Sequence, residues 1–275
     1  MDMGTATQIT RWAAKVVRWL PRGRTIIRAV KDRATHAMFR SMHEGIVHPM
    51  RKLAAQPSAF AANPGSLADT AIPVCTGLGQ LMGNLLELDP DMLHCCIKVV
   101  VQKDQRDVVS TIGRSEPWDN RTGSAFYWPQ DVFLVDENTV WASLFGRSDG
   151  KNHWERLNCF ACNNLPAQPS FVCQRKDWKH FYQSSLVFPI RMVNNTPPAD
   201  IRIVGMLTFD SPRPGSFGSI PDVFAFRDRW PEYRTALKEH TVFQLGAAFA
   251  DALGVVLTPL YEDFAKQEKG NVTAQ

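Results

Sequence analysis

Much that would assign a role at sight is missing from this chain of 275 residues. No run of 18 consecutive apolar residues occurs, so a membrane-spanning helix is not expected. The opening MDMGTATQIT has no charged segment leading into an apolar one, which argues against a secretory signal and for a cytoplasmic setting. Neither G-x-x-x-x-G-K-[ST] nor H-E-x-x-H is present, so phosphate-loop and zinc-protease chemistry have no foothold. Internal repeats and long low-complexity tracts are absent as well. The seven histidines are scattered, and those at 36, 43 and 48 read as surface residues rather than as a catalytic group.

A disulfide framework is lacking too. The six cysteines stand at 75, 95, 96, 159, 162 and 173, and the adjacent Cys95 and Cys96 lie inside an apolar run where neighbouring residues point to opposite faces. Reduced thiols are the expectation. Cys159, Cys162, Cys173 and His180 together supply four soft ligands for a tetrahedral zinc. Their spacing departs from the usual paired pattern, and ordinary thiols are the preferred reading, so no metal is expected.

What is present is an ordinary globular composition, 44% hydrophobic and 21% charged, enough for a core without staples. The net charge of +4 is unevenly placed. Residues 1–56 hold 11 Lys and Arg against three acids, and the remainder carries an excess of acid. That asymmetry divides the chain into parts with different roles. In 1–56, Ile9, Trp12, Val16, Trp19 and Leu20 recur at helical spacing, Pro21 and Gly23 interrupt, and a second helical run extends past Ile46 to Pro49. This basic amphipathic helical arm has two readings. Its apolar stripe packs on the rest of the chain or on a copy of itself. Alternatively its basic face and tryptophans meet an anionic membrane surface or a partner protein, with nucleic acid a weaker fit.

Residues 57–67 read as a linker rich in Pro, Ala, Gly and Ser, and 68–258 as one folded domain followed by a tail at 259–275. Within the domain a helix is expected over 68–88, then a hairpin of 93–101 with 108–115. A short helix at 137–146 ends on Gly146, a strand at 156–162 leads into a loop, and 177–184 forms a short helix or turn. Strands at 185–193 and 201–210 and a closing helix at 238–257 complete the order. Tight turns between the strands imply an antiparallel sheet with helices gathered against it, an α+β class.

The run SSLVFPIRM…IRIVGMLTFDSPRPGSF (184–217) resembles the most recognisable part of GAF domains. The matching residues are Ser185, Val187, Pro189 and Ile190, then Gly205, Leu207, Asp210, Ser211 and Phe217. The resemblance implies a GAF-like antiparallel sheet flanked by helices and a signalling sensor that binds a small molecule between the sheet and the elements on one face. It also implies a homodimer built through the first and last helices, with 78–88 and 238–257 side by side on the far face. Trp141, Phe145, Asn163, Asp177, Trp178, Tyr182 and Ser184 are the aromatic and polar residues expected around that cavity. The ligand and any cofactor are unassigned, because neither a cyclic-nucleotide nor a tetrapyrrole motif is unambiguous. No residue stands out as a nucleophile, so the sequence points to binding rather than catalysis. Two alternatives are an adaptor for proteins or membranes that has no ligand, and a thiol-based redox enzyme.

Overall fold

The structure, a computed structural model, describes residues 43–55, 64–89, 92–103, 106–115, 133–176, 178–192 and 202–272. Most of the basic arm, much of the linker, the stretch 116–132 and the turn 193–201 lie outside the described residues.

Six strands form one sheet: β1 (His94–Lys103), β2 (Arg106–Arg114), β3 (Phe133–Leu134), β4 (Phe160–Cys162), β5 (Ser184–Arg191) and β6 (Ile203–Ser211). Their order is β3-β2-β1-β6-β5-β4, and every pairing is antiparallel. The expected hairpin is β1–β2, and the two motif strands pair directly, Val187 opposite Thr208. Pro189 has no N–H to give, and it sits where this costs nothing: β4 ends opposite Val187 and leaves that side of Pro189 open. The strand expected at 156–162 shortens to three residues. Its exposed edge is closed by the Tyr233 hydroxyl, which accepts from the Ala161 N–H at 3.0 Å and donates to the Cys159 carbonyl at 3.2 Å.

Helices cover one face. A π-helical turn (His43–Val47) runs into α1 (His48–Ala55), so Pro49 opens a helix rather than ending one, a position where its missing N–H is harmless. Helix α2 (Pro64–Leu85) begins inside the stretch that reads as linker and packs on β1 and β2. Short α3 (Thr139–Phe145) ends on Gly146 at φ 68°, as the sequence predicts, and at its start the Asn138 side chain accepts from the Val140 N–H. Helix α4 (Trp230–Lys238) is an element the sequence reading did not assign, and α5 (Thr241–Val272) is the expected closing helix. It runs through Pro259 well past the expected end.

Helices α2 and α5 lie on the same face, α2 over β1 and β2, α5 over β1, β6 and β5, with α1 against both. Their approach is set by missing side chains. A Cβ at Gly113 would lie 2.6 Å from the Ala71 Cβ, one at Gly246 would enter the Phe188 ring, and one at Gly254 would strike the Arg191 carbonyl. The segment Thr241–Pro259 is long and apolar enough to cross a membrane, with a mean hydropathy of 1.5, but 56% of it is buried here against the sheet. Ile46, at the end of the arm, is fully buried and touches α2 at Gly77, so this part of the stripe packs on the domain.

Gly205 faces Val99 across β6–β1, and a Cβ there would run into the Lys98 carbonyl oxygen. Gly205→Ala is expected to cost about 3 kcal/mol in urea unfolding. Gly150→Ala, with φ 85° but open space around it, should cost only about 1 kcal/mol.

Candidate functional site

The side-chain alternation of β1 decides which groups meet. Cys95 and Ile97 face the helices: a Cβ placed at Gly79 of α2 would lie 3.5 Å from the Cys95 Cβ. His94, Cys96 and Lys98 therefore face the other way. Register adds partners on that same face: Arg114 opposite Cys96, and Asp210 opposite both His94 and Ser185. A bulge in the β1–β2 ladder skips Ile112, so that Lys98 pairs with Thr111 rather than with the next residue in sequence. The Lys98 ammonium donates to the Thr111 hydroxyl at 2.7 Å and stands 5.6 Å from the Trp141 ring centre.

Above this face, α3 and the segment 165–182 form a roof. Between roof and sheet is a cavity of about 80 Å³. Lys98, Arg114, Arg175 and Asp210 are its charged walls, and Val140, Trp141, Leu165 and Phe171 are apolar ones. Lys98 is only 7% exposed. The Ser185 hydroxyl donates to Asp210 at 2.6 Å. The Trp141 Nε1–H is buried without a hydrogen-bond partner, which is costly for a donor unless something else accepts it.

Burial also governs the thiols and the phenol of the wall. Burial pushes the Cys96 thiol up, and Arg114 and Lys98 only partly oppose this. Burial also pushes up Cys173 and the Tyr182 phenol, the latter helped by Cys173 and Asp210. These thiols are therefore poor nucleophiles at neutral pH. The arrangement brings polar, charged and apolar groups together around one small space.

Of the residues singled out in the sequence, Trp141 and Tyr182 line the cavity. Trp178 stands behind them, its ring 6.2 Å from Tyr182 and 4.7 Å from Phe171. Phe145 lies under the Arg147 guanidinium, away from the cavity. Asn163 and Ser184 tie down the loop after β6. Asn163 accepts from the Phe217 N–H and donates to the Gly218 and Ile220 carbonyls, while the Ser184 hydroxyl bonds the carbonyls of Asn163 and Arg213. Asp177 lies outside the described residues. Cys159 and Cys162 are buried beside β4, and among the described residues no group of three or more His, Cys, Asp or Glu could hold a metal ion. The charged wall residues escaped the sequence reading. One signal for them was visible: His94, Cys96 and Lys98 are polar at every second position of an otherwise apolar strand.

The roof is held by Asp149. Its carboxylate accepts from Thr139, Asn152 and Trp154 side chains at 2.6, 2.6 and 3.1 Å and from the N–H groups of Lys151 and Asn152. Thr139 in turn bonds Val172 through both its hydroxyl and its N–H, which joins α3 to the segment carrying Phe171 and Cys173. Burial alone would raise the Asp149 pKa, but these hydrogen bonds outweigh it and hold the carboxyl below its ordinary value of 3.8. A depressed folded pKa stabilises above the unfolded value and ceases to do so as pH falls through the folded one. Asp149→Asn should therefore cost about 2 kcal/mol at pH 7. In urea unfolding the gap to the parent protein should close progressively below about pH 4.

No family model and no curated protein matches this chain. Among solved structures, one GAF domain is 7% identical, with 72% of this chain and 87% of that one covered, at a TM-score of 0.33. The GAF domain of a phosphoenolpyruvate-protein phosphotransferase from Coxiella burnetii is 12% identical over 75% of this chain and 97% of that one, also at 0.33. The solved structures to which the chain is similar are thus GAF domains, at a level too low to carry the reading of the cavity, which stands on its own geometry.

Proposed function

We propose that the chain is a non-catalytic regulatory domain that binds a small molecule in the cavity and relays its occupancy through α2 and α5. The cavity itself carries this reading: a small enclosed space roofed by a braced layer, with a buried indole N–H and several charged groups converging on it. The relay follows from the strands that form its floor. β1 presents Cys96 and Lys98 to the guest and Cys95 and Ile97 to the helices, so a guest that displaces β1 also alters helix packing. The same helices supply the surface for a homodimer.

The competing readings find less support. Cys159 and Cys162 are buried, and burial raises both thiols, which opposes redox chemistry by thiolate. Leu85 is the only large hydrophobic among the described residues that is well exposed, so the described surface offers an adaptor no apolar patch.

Native mass spectrometry of the purified chain is expected to report a dimer and a small molecule released on denaturation. Amide exchange with and without that molecule should slow in α2 and α5 as well as in β1. A monomer that carries nothing and is stabilised by no member of a metabolite panel would overturn the proposal.

A further inference from the structure

Resting on that reading, we propose that the guest is a short uncharged carbonyl compound, a ketone or an ester, anchored by the Trp141 indole N–H. A donor without a partner is the starting point. Trp141 lines the cavity and is only 7% exposed, yet among the described residues nothing accepts from its Nε1–H. An indole nitrogen donates and never accepts, so the group that satisfies it must bring a lone pair. A buried donor left unmatched is destabilising, and a guest that meets it removes that penalty on binding.

The charged wall does not call for a charged guest. Lys98 donates to Thr111 and stands over the Trp141 ring, and Arg114, Arg175 and Asp210 each have a partner within the protein. An ion entering here would shed its water without a free countercharge to receive it.

The other polar walls select the kind of acceptor. An alcohol or an amide brings an O–H or N–H of its own, which needs an acceptor in turn. Those of the wall are engaged: the Asp210 carboxylate takes the Ser185 hydroxyl, the Ser115 hydroxyl takes the Cys95 N–H, and the Cys173 sulfur takes the Asn138 amide. A ketone or ester carbonyl only accepts and makes no such demand. Its hydrocarbon then lies against Val140, Leu165 and Phe171.

Size sets the upper limit. An apolar cavity of about 150 Å³ accommodates a benzene ring. This one, at about 80 Å³, is roughly half as large. A guest of about five non-hydrogen atoms or fewer follows. A nucleotide does not fit.

The test uses the purified full chain, isotope-labelled at tryptophan nitrogen, whose eight indole N–H groups are followed by NMR. Trp141→Phe keeps a ring beneath Lys98, removes the donor and identifies the Trp141 signal. Probes are acetone and butanone, with three near-isosteres of acetone. Isobutene lacks the acceptor, isopropanol adds a donor and acetate adds a charge. The ketones are expected to move the Trp141 proton signal downfield. They should also bind about fivefold more tightly than the three isosteres. In Trp141→Phe that advantage should vanish while isobutene binds as it does to the parent, which a merely structural role for the ring would not produce. Should this variant fail to fold, the comparison of acetone with isobutene on the parent protein decides. Ketones that leave every indole signal in place, or an isostere that binds as tightly as acetone, would overturn this guest and leave a small-molecule site standing. If no probe binds, this guest is overturned too, and the site falls with it when no member of the metabolite panel stabilises the protein.

Discussion

Everything in this domain turns on one strand being buried on both faces. β1 lies at the centre of the sheet, paired with β2 on one side and β6 on the other. Its alternate residues serve the helix layer and the cavity. The contact that fixes it is a backbone one. Gly205 lets β6 close on the Lys98 carbonyl, while the bulge opposite aims the Lys98 side chain at Thr111. A glycine that looks like a motif residue thereby places the one lysine whose ammonium is buried in the sheet. A side chain at 205 would push the strands apart and move Lys98 with them.

That placement has an electrostatic consequence. An ammonium that is 7% exposed donates to a hydroxyl and stands over an indole face, with arginines and a carboxylate on the same cavity wall. Such a group is expensive to bury for the sake of stability alone. The roof above it is secured by a different device. Asp149 collects five hydrogen bonds and binds α3 to the loop that follows it and, through Thr139, to the segment at 172, so the cavity stays shaped without relying on its own polar walls. The close glycine contacts of α2 and α5 leave little slack on the opposite face.

The elements with strong local signals were legible in the chain. Apolar β-branched runs located β1, β2, β5 and β6, and Gly146 marked the end of α3. Others were not. Helix α4 lies in a stretch to which the sequence reading gave no element, and no proline or glycine separates it from α5 at Glu239–His240. Pro259 reads as a helix end, but α5 continues because its preceding turns are already held against the sheet, and the Thr258 hydroxyl bonds the Gly254 carbonyl at 2.6 Å. Pro49 reads as a terminator for the same reason and is a helix start. Trp178, Asn163 and Ser184 were chosen as polar or aromatic residues in the right stretch. Their places behind the wall and in the loop depend on neighbours more than fifty residues away in the Asn163 case.

By itself the sequence determined the class and the pairing. Period-two apolar runs with short connections leave antiparallel strands as the natural solution, and amphipathic helices must then cover them. The resemblance of 184–217 pointed to a cavity on one face. Only the tertiary structure decided what lines it. His94 and Asp210 are separated by most of the domain in sequence yet are register partners, and Arg114 meets Cys96 through a bulge that no local pattern announces. A binding site is an assembly of long-range contacts, and their register is set by packing rather than by the preferences of any one segment.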